Sequence, residues 1–265
     1  MVNTSPENRL TNEKYWDSIW TPLDGNYHNL HVSDFYFGRK GLFTKLIQNR
    51  IGDISGKTVL ELGGGGNNYR LLSMAKWSGA LVTALDFSAE GLKVVNDLFK
   101  INTCKASFIQ DDILNWQPKE PNVNFDVVTH WGVLEHFIDP KPMLKKSFEA
   151  LNPGGSLIFS MPNMEAFAAR YWQKWCPDSW SKHIFHSTEL IQATLSELGF
   201  TYVECFYFGV PCIKAANWET KSPLQPSLDL IQKILSASAR IFPVYHKLGH
   251  RRISMERGFF ARKGP

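Results

Sequence analysis

Val59-Leu60-Glu61-Leu62-Gly63-Gly64-Gly65-Gly66-Asn67-Asn68 is the stretch that decides the fold. A short apolar run carries one acidic residue and then breaks into four glycines, as a buried strand does where it delivers its C-terminal end to a ligand. Glycine permits positive φ angles and close approach of a ligand to the backbone. The amides that follow open a helix and are free to face that ligand. The stretch predicts a nucleotide-type cofactor site rather than a flexible linker, because linkers rarely join an apolar strand to a helical pattern.

The rest of the chain repeats this rhythm of strand and helix. Further apolar runs predict strands at 81–85, 106–109, 125–131, 156–160, 201–208 and 258–262. Helical patterns separate most of them, and such alternation indicates a mostly parallel sheet with helices on both faces. We therefore expect an α/β fold with a doubly wound, seven-stranded, Rossmann-like sheet, an N-terminal helical lid, and insertions after strands 5 and 6.

One domain of 265 residues accommodates this pattern. We expect a single domain made of four parts: a lid at 1–40 whose first 14 residues are frayed, a cofactor-binding core at 41–162, an aromatic insertion at 163–186, and a C-terminal part at 187–265 that contains a second insertion at 209–256.

Composition excludes several classes of protein. The net charge of +4 is a mild bias without a dense Lys/Arg run, which argues against nucleic acid as a partner. Four cysteines, among them Cys212, lack metal-type spacing and fit a reducing cytoplasm. The polar N-terminus has no apolar signal core, and no run approaches the length of a membrane span. We expect a cytoplasmic protein, monomer or homodimer, that acts on a small molecule.

Two cofactors suit a strand, glycine turn and helix at the front of such a sheet: a dinucleotide and S-adenosylmethionine. A dinucleotide fingerprint needs a glycine at the position of Asn68. The Glu61 carboxylate would repel a pyrophosphate but suits the ammonium group of a methionine tail. Asp86, at the end of the second strand, offers two acceptor oxygens to a ribose diol, and Asp112, after the third, is placed to accept from an adenine amino group. Asp86 serves either cofactor, so Glu61 and Asn68 make the distinction in favour of S-adenosylmethionine.

The ordered motifs resemble the class I S-adenosylmethionine-dependent methyltransferases over residues 40–208, and small-molecule members similar to ubiquinone-pathway-like O-methyltransferases in particular. The motifs that carry the resemblance are Val59-Leu60-Glu61-Leu62-Gly63-Gly64-Gly65, Leu85-Asp86-Phe87-Ser88, Asp111-Asp112-Ile113, Phe125-Asp126-Val127-Val128, Val133-Leu134-Glu135-His136, Leu151-Asn152-Pro153-Gly154-Gly155-Ser156-Leu157 and His183-Ile184-Phe185. The resemblance implies that Gly63 and Gly65 lie beneath the cofactor and that Phe87 lies beside the adenine. It also implies that Asp111, Asp112 and Ile113 line the adenine edge.

Two positions depart from the family pattern. Asn67 stands where the third glycine of the motif is usual, which alters the turn but leaves Gly63 and Gly65. Gly132 stands where the ubiquinone-pathway members carry an acid that helps to hold a metal. We therefore expect no metal site.

Four histidines are candidates for a general base, because imidazole titrates near neutrality: His130, His136, His183 and His186. His130 and His136, with Trp131, lie at or just after the end of the fourth strand, where we expect the cofactor's methyl group. Each has a structural alternative, as a packed strand residue or as a brace for a loop. His28 and His31 are weaker candidates.

Two aromatic clusters predict an acceptor pocket and its lid: Tyr15, Trp16 and Trp20, and then Tyr171, Trp172 and Trp175. Flat apolar walls suit sugars, aromatic rings or lipid-like tails. The alternative is a small satellite core beneath the insertion.

The segment 224–252 combines an amphipathic helical pattern with His246, Lys247, Arg251 and Arg252. It suits peripheral contact with a membrane or an anionic carrier. Packing on its own domain, or in a dimer, is the alternative.

The sequence therefore predicts a methyltransferase that uses S-adenosylmethionine on a small molecule, with O-methylation of a hydroxyl on a sugar, aromatic or other secondary metabolite as the first choice. N- or C-methylation, an inactive cofactor-binding partner subunit, and a dehydrogenase are the rivals.

Overall fold

The computed structural model of the protein describes residues 8–20, 34–118, 124–211, 223–241 and 249–265. His28, His31, Cys212, His246 and Lys247 lie outside these ranges, so the expectations attached to them stay untested.

The strands of the described residues form one twisted sheet. They are β1 (Thr58–Leu62), β2 (Leu81–Asp86), β3 (Ser107–Gln110), β4 (Phe125–Trp131), β5 (Leu151–Pro162), β6 (Phe200–Pro211) and β7 (Ser254–Lys263). Their order across the sheet is β3-β2-β1-β4-β5-β7-β6. The first five pair in parallel, and β7 runs antiparallel to both β5 and β6. The predicted doubly wound, mostly parallel, seven-stranded sheet is confirmed.

Helices connect these strands and precede them. They are α1 (Glu13–Trp20), α2 (Asp34–Phe37), α3 (Leu42–Arg50), α4 (Tyr69–Ser78), α5 (Ala89–Ile101), α6 (Lys141–Glu149), α7 (Phe167–Trp175), α8 (Pro177–Trp180), α9 (Thr188–Glu197) and α10 (Gln225–Ile241). A short 3₁₀ turn spans Leu134–His136.

Both faces of the sheet are covered, because side chains of a buried strand alternate between the two faces. On one face Met143 of α6 and Ile191 of α9 pack in a core with Leu60. On the other face Phe43 of α3 and Leu71 of α4 belong to the second core. The carboxyl ends of the parallel strands are left open at one edge, where a ligand site is expected.

The fifth strand begins earlier than the predicted 156–160, because residues 151–155 are part of β5. Leu151 pairs with Phe125, the register then shifts, and Ser156 pairs with Val127. The extra residues are absorbed as a bulge, which lets the strand continue through a glycine-rich segment.

The start of the chain is not frayed where the structure describes it. The backbone amide of Leu10 donates to the carbonyl oxygen of His136 over 2.9 Å, and Ile138 donates to the carbonyl oxygen of Asn8 over 2.9 Å. These bonds tie residues 8–20, which we call the N-terminal strap, to the loop after β4.

The 163–186 segment contains α7 and α8, and α10 lies within 209–256. β6 and β7 each reach three residues into that second insertion, to Pro211 and from Ser254. Leu230 and Ile234 of α10 are exposed. Among the described helices, none is long and apolar enough to cross a membrane.

Candidate active site

Two adjoining cavities lie at the carboxyl ends of the parallel strands. The first has a volume of about 260 Å³ and the second about 460 Å³. They share one wall, formed by Trp16, Arg70, Trp131, Gly132 and His136. A molecule in one cavity is therefore in reach of a molecule in the other.

Glu61 lies at the floor of the first cavity and is almost fully buried. Its Oε1 accepts a hydrogen bond from Asn68 Nδ2 over 2.6 Å, whereas Oε2 is buried without a hydrogen-bond partner. Burial raises the pKa of Glu61 to about 8. An unpartnered carboxylate oxygen is costly unless a ligand donates to it, so this floor suits a cationic donor group.

Asn68, which breaks the dinucleotide spacing, has two structural tasks. Its side-chain oxygen caps α4 by accepting from the Leu71 amide over 2.9 Å. Its Nδ2 holds Glu61 and also donates to the carbonyl oxygen of Gly64. A third glycine could do neither.

Asp86 organises the glycine turn. Its Oδ2 accepts from the Gly65 amide over 2.9 Å and its Oδ1 from the Ser88 amide over 2.8 Å. Burial raises the pKa of Asp86, while these amide bonds act against that rise. Gly63 has a φ of +70°, and a Cβ there would meet Val133 Cγ2 at 2.7 Å. Asp86 also lines the first cavity.

Only some of the residues expected beside the adenine line the first cavity. Phe87 and Ile113 line it, with Trp131 on the shared wall. Asp111 and Asp112 do not line it, which corrects the expected acidic edge. Both oxygens of Asp112 are bound by Arg9 of the strap, and the Asp111 carboxylate accepts from the Asp112 amide.

The strap forms the outer side of the first cavity. Trp16 and Trp20 of α1 line it together with Arg9. The Ser88 hydroxyl donates to Asp17 Oδ1 over 2.6 Å, which ties α1 to the end of β2. α1 therefore lies at the outer side of the first cavity, and its role as a lid stays a prediction.

His136 lines both cavities and is held in one orientation. Its Nδ1 lies 2.7 Å from the carbonyl oxygen of Lys182, so Nδ1 donates and Nε2 carries the lone pair. Burial lowers the pKa of His136 to about 3, which keeps the ring neutral. His183 lines the second cavity and is oriented in the same way, with Nδ1 2.7 Å from the carbonyl oxygen of Ser179.

His130 and His186 do not face either cavity, which corrects their candidacy as bases. His130 is fully buried and stacks on Phe159 at 4.3 Å between ring centroids. Period-two alternation places its side chain on the opposite face of the sheet from Trp131. The His186 ring bonds the carbonyl oxygen of Phe137 over 3.0 Å and braces a loop.

Of the six aromatic side chains predicted to form the acceptor pocket and its lid, four line a cavity and two do not. Tyr15, Trp16 and Trp172 line the second cavity, and Trp20 lines the first. Tyr171 and Trp175 line neither cavity; they are four residues apart on α7, share one face of it and pack on each other. These two are not part of either pocket.

Glu135, His136 and His183 bring three ligand-type atoms within 4.8 Å of one another. Oε2 of Glu135 is buried without a hydrogen-bond partner. Both imidazoles donate through Nδ1 to backbone carbonyls, as metal-bound histidines commonly do. The donor set of one carboxylate and two imidazoles fits a divalent transition-metal ion. The sequence analysis considered His183 as a base and not as a metal ligand, and the expectation of no metal site stays a prediction.

Sequence reasoning missed other lining residues, among them Arg9, Arg70 and Glu256. Arg70 follows the glycine turn at the start of α4, a position that faces a ligand, so a signal for it was present. Arg9 and Glu256 had none, because each reaches the site through a pairing between distant parts of the chain.

Comparisons with known proteins agree with this geometry. A methyltransferase domain model matches residues 38–205. The ubiquinone biosynthesis O-methyltransferase of Klebsiella pneumoniae subsp. pneumoniae is 32% identical over 168 residues, which are 60% of this chain and 65% of that enzyme. The enzyme of the same name from Idiomarina loihiensis is 31% identical over 188 residues, or 67% of this chain and 73% of that enzyme. The match thus spans slightly less than two thirds of the Klebsiella enzyme.

A solved structure supports the fold. The S-adenosylmethionine-dependent methyltransferase from Archaeoglobus fulgidus aligns with a TM-score of 0.54 at 18% identity, covering 85% of this chain and 94% of that chain. The domain model covers more than half of this chain, and the sheet order and the first cavity agree with the motifs around Glu61 and Asp86. The chain therefore belongs to the class I S-adenosylmethionine-dependent methyltransferases.

Proposed function

We propose that the chain transfers the methyl group of S-adenosylmethionine to a hydroxyl oxygen of a small molecule with an apolar or aromatic body. The observation that carries the proposal is the wall shared by the two cavities, at which His136 and Trp131 line both. Methyl transfer needs donor and acceptor side by side and shielded from water.

The first cavity supports the donor. Glu61 offers its unpartnered Oε2 to the ammonium group of the methionine tail. Asp86, at the end of the next strand, offers acceptor lone pairs to ribose hydroxyls, and Phe87 gives a flat face for the adenine. We thus assign these three groups to the methionine tail, the ribose and the adenine of the cofactor, in that order.

The second cavity supports the acceptor. Its volume of about 460 Å³ suits a small organic molecule. Trp16, Trp131 and Trp172 supply flat apolar walls. The name shared by the two similar enzymes, ubiquinone biosynthesis O-methyltransferase, supports oxygen over nitrogen or carbon as the methylated atom.

The bound cofactor supplies an activated methyl group on a sulfonium centre. The chain aligns the acceptor oxygen with it, excludes water with α1 and α7, and removes the hydroxyl proton. An acceptor oxygen that received this methyl group would become strongly acidic, and the cofactor would leave as a neutral thioether. Nε2 of His136 then takes the proton, and the low pKa of this ring is sufficient because the oxygen is most acidic at that moment. Base assistance of this kind contributes roughly 10²–10⁴-fold in rate.

A second arrangement is favoured by the cluster of Glu135, His136 and His183. These side chains would hold a divalent cation, which would lower the pKa of an acceptor hydroxyl bound to it. His136 would then act as a ligand and no longer as the base. Removal of metal ions separates the two arrangements.

The proposal is tested by calorimetry and by product analysis. We expect S-adenosylhomocysteine to bind, and mass spectrometry to find a methylated oxygen when hydroxyl, amino and carbon acceptors are offered with S-adenosylmethionine. Binding of NAD but not of S-adenosylhomocysteine would overturn the donor. Tight binding without turnover across the panel would instead identify a cofactor-binding partner subunit, and transfer to nitrogen or carbon would overturn the choice of oxygen.

A further inference from the structure

Arg70 stands between the two cavities and has no part in the mechanism above. It is the second residue of α4 and lines both cavities. One of its terminal nitrogens lies 2.6 Å from Oε1 of Glu256, and its guanidinium carbon lies 5.2 Å from the ring centroid of Trp131. The other oxygen of Glu256 accepts from the Ser160 hydroxyl. The guanidinium is therefore held at the shared wall by Trp131 of β4 and Glu256 of β7, and Ser160 of β5 holds Glu256 in turn.

Two arginines line the first cavity among the described residues, and they lie at opposite ends of it. Arg9 is paired with Asp112, and its guanidinium carbon lies 5.7 Å from the ring centroid of Phe87, at the end of the cavity expected for adenine. Arg70 lies in the first turn of α4, four residues after Gly66 of the glycine turn, and its positive charge opposes the rise in the pKa of both Glu61 and Glu135. Arg70 is thus the guanidinium at the end of the cavity expected for the methionine tail.

The methionine tail carries an ammonium group and a carboxylate on one carbon atom. Glu61 offers its Oε2 to the ammonium, which leaves the neighbouring carboxylate to be matched. An unpaired buried carboxylate costs several kcal/mol, and a planar guanidinium matches carboxylate geometry with paired donors. Arg70 presents five N–H donors, and among the described residues Glu256 is its one carboxylate partner.

We propose that Arg70 binds the α-carboxylate of the cofactor's methionine tail while it stays paired with Glu256. The inference rests on the proposed function, since it requires S-adenosylmethionine in the first cavity. Charges then alternate from Glu61 through the ammonium, the carboxylate and Arg70 to Glu256. A cofactor bound in the first cavity thereby places its own α-carboxylate on the wall of the second cavity. A methyl acceptor that carries a further hydroxyl or amino group can donate a hydrogen bond to that carboxylate.

The test compares two ligands that differ only in the carboxylate: S-adenosylhomocysteine and its decarboxylated analogue. We expect wild-type protein to prefer S-adenosylhomocysteine by about tenfold or more, as for a charge-assisted hydrogen bond. Arg70→Ala should lose that preference while it binds the analogue as wild type does. Arg70→Lys should restore part of the preference, because it keeps the charge but loses the planar fork.

Two further variants control for effects on the fold. Lys76→Ala removes a cation from the exposed side of the same helix and should leave both affinities unchanged. Glu256→Gln breaks the ion pair but keeps Arg70, so the preference for the carboxylate should persist. An Arg70→Ala protein that keeps the preference, or that loses both ligands equally, would overturn the inference, as would loss of the preference in Glu256→Gln. Failure of wild-type protein to bind S-adenosylhomocysteine would overturn the proposed function instead.

Discussion

An ideal Cβ on Gly66 would fall 2.5 Å from Cη2 of Trp20, so the indole of the strap lies directly on the glycine turn. Gly66→Ala should displace Trp20 and weaken binding of S-adenosylhomocysteine, in addition to a backbone cost of about 1 kcal/mol at the positive φ. Calorimetry measures the affinity. Gly154→Ala is the matched control, because Gly154 has a φ of +73° and open space around its Cβ position. Equal affinities in the two variants would show that Trp20 of the strap contributes nothing to binding of S-adenosylhomocysteine.

Asp86→Ala removes the carboxylate from the end of β2. We expect the affinity for S-adenosylhomocysteine to fall by about 1–3 kcal/mol, the value of one or two hydrogen bonds. Asp53→Ala is a suitable control, since Asp53 accepts from an amide two residues ahead, as Asp86 does, but is exposed. Unchanged affinity in Asp86→Ala would mean that the ribose site lies elsewhere.

Glu61 should couple cofactor binding to pH. Its pKa of about 8 leaves the carboxyl mostly protonated at pH 7 in the empty protein. An ammonium group beside it favours the charged form, so binding lowers this pKa and releases up to about one proton. Affinity should therefore rise with pH up to about 8 and then level off. Calorimetry in two buffers with different ionisation enthalpies measures the released proton, and Glu61→Gln should abolish it; an unchanged release in that variant would contradict the assignment.

His136→Asn keeps a donor for the Lys182 carbonyl but removes the imidazole base. We expect turnover to fall at least about tenfold under saturating ligands, as for loss of a general base. His183→Asn serves as the comparison, because His183 lines only the second cavity. Near-normal turnover in His136→Asn, with a loss in His183→Asn, would transfer the proton-accepting role to His183.

Removal of divalent cations tests the other use of the same histidines. With His136 as the base, we expect dialysis against a chelator to leave turnover unchanged. If turnover were lost and then restored by a divalent cation, the cluster of Glu135, His136 and His183 would be a metal centre. Calorimetric titration with the cation, compared between wild type and Glu135→Gln, would show whether the carboxylate is one of its ligands.

The fold could be predicted from the sequence because the strands and helices of a parallel sheet each have a hydrophobic pattern within their own residues. Each strand is a short apolar run, and each crossover helix shows its own period, so the sheet and the family followed. Glu61, Gly63, Gly65 and Asp86 line the first cavity because strand ends in this fold meet at one edge.

The remainder of the site depends on contacts that local patterns do not carry. The Arg9–Asp112 and Arg70–Glu256 ion pairs join residues 103 and 186 positions apart. The hydrophobic periodicity of a helix or a strand carries no information about a pairing between such distant residues. By contrast, alternation along β4 could have placed His130 on the face opposite Trp131, and helical spacing could have separated Tyr171 from Trp172.

The N-terminal strap contributes four side chains to the first cavity: Arg9, Thr11, Trp16 and Trp20. None of residues 8–20 belongs to either hydrophobic core. The strap thus lines the cavity without contributing a side chain to either core. Substitutions of the four strap side chains should therefore change the affinity for a ligand more than they change the melting temperature of the ligand-free protein. Ligand affinity, and not thermal stability, is the quantity by which such variants have to be compared.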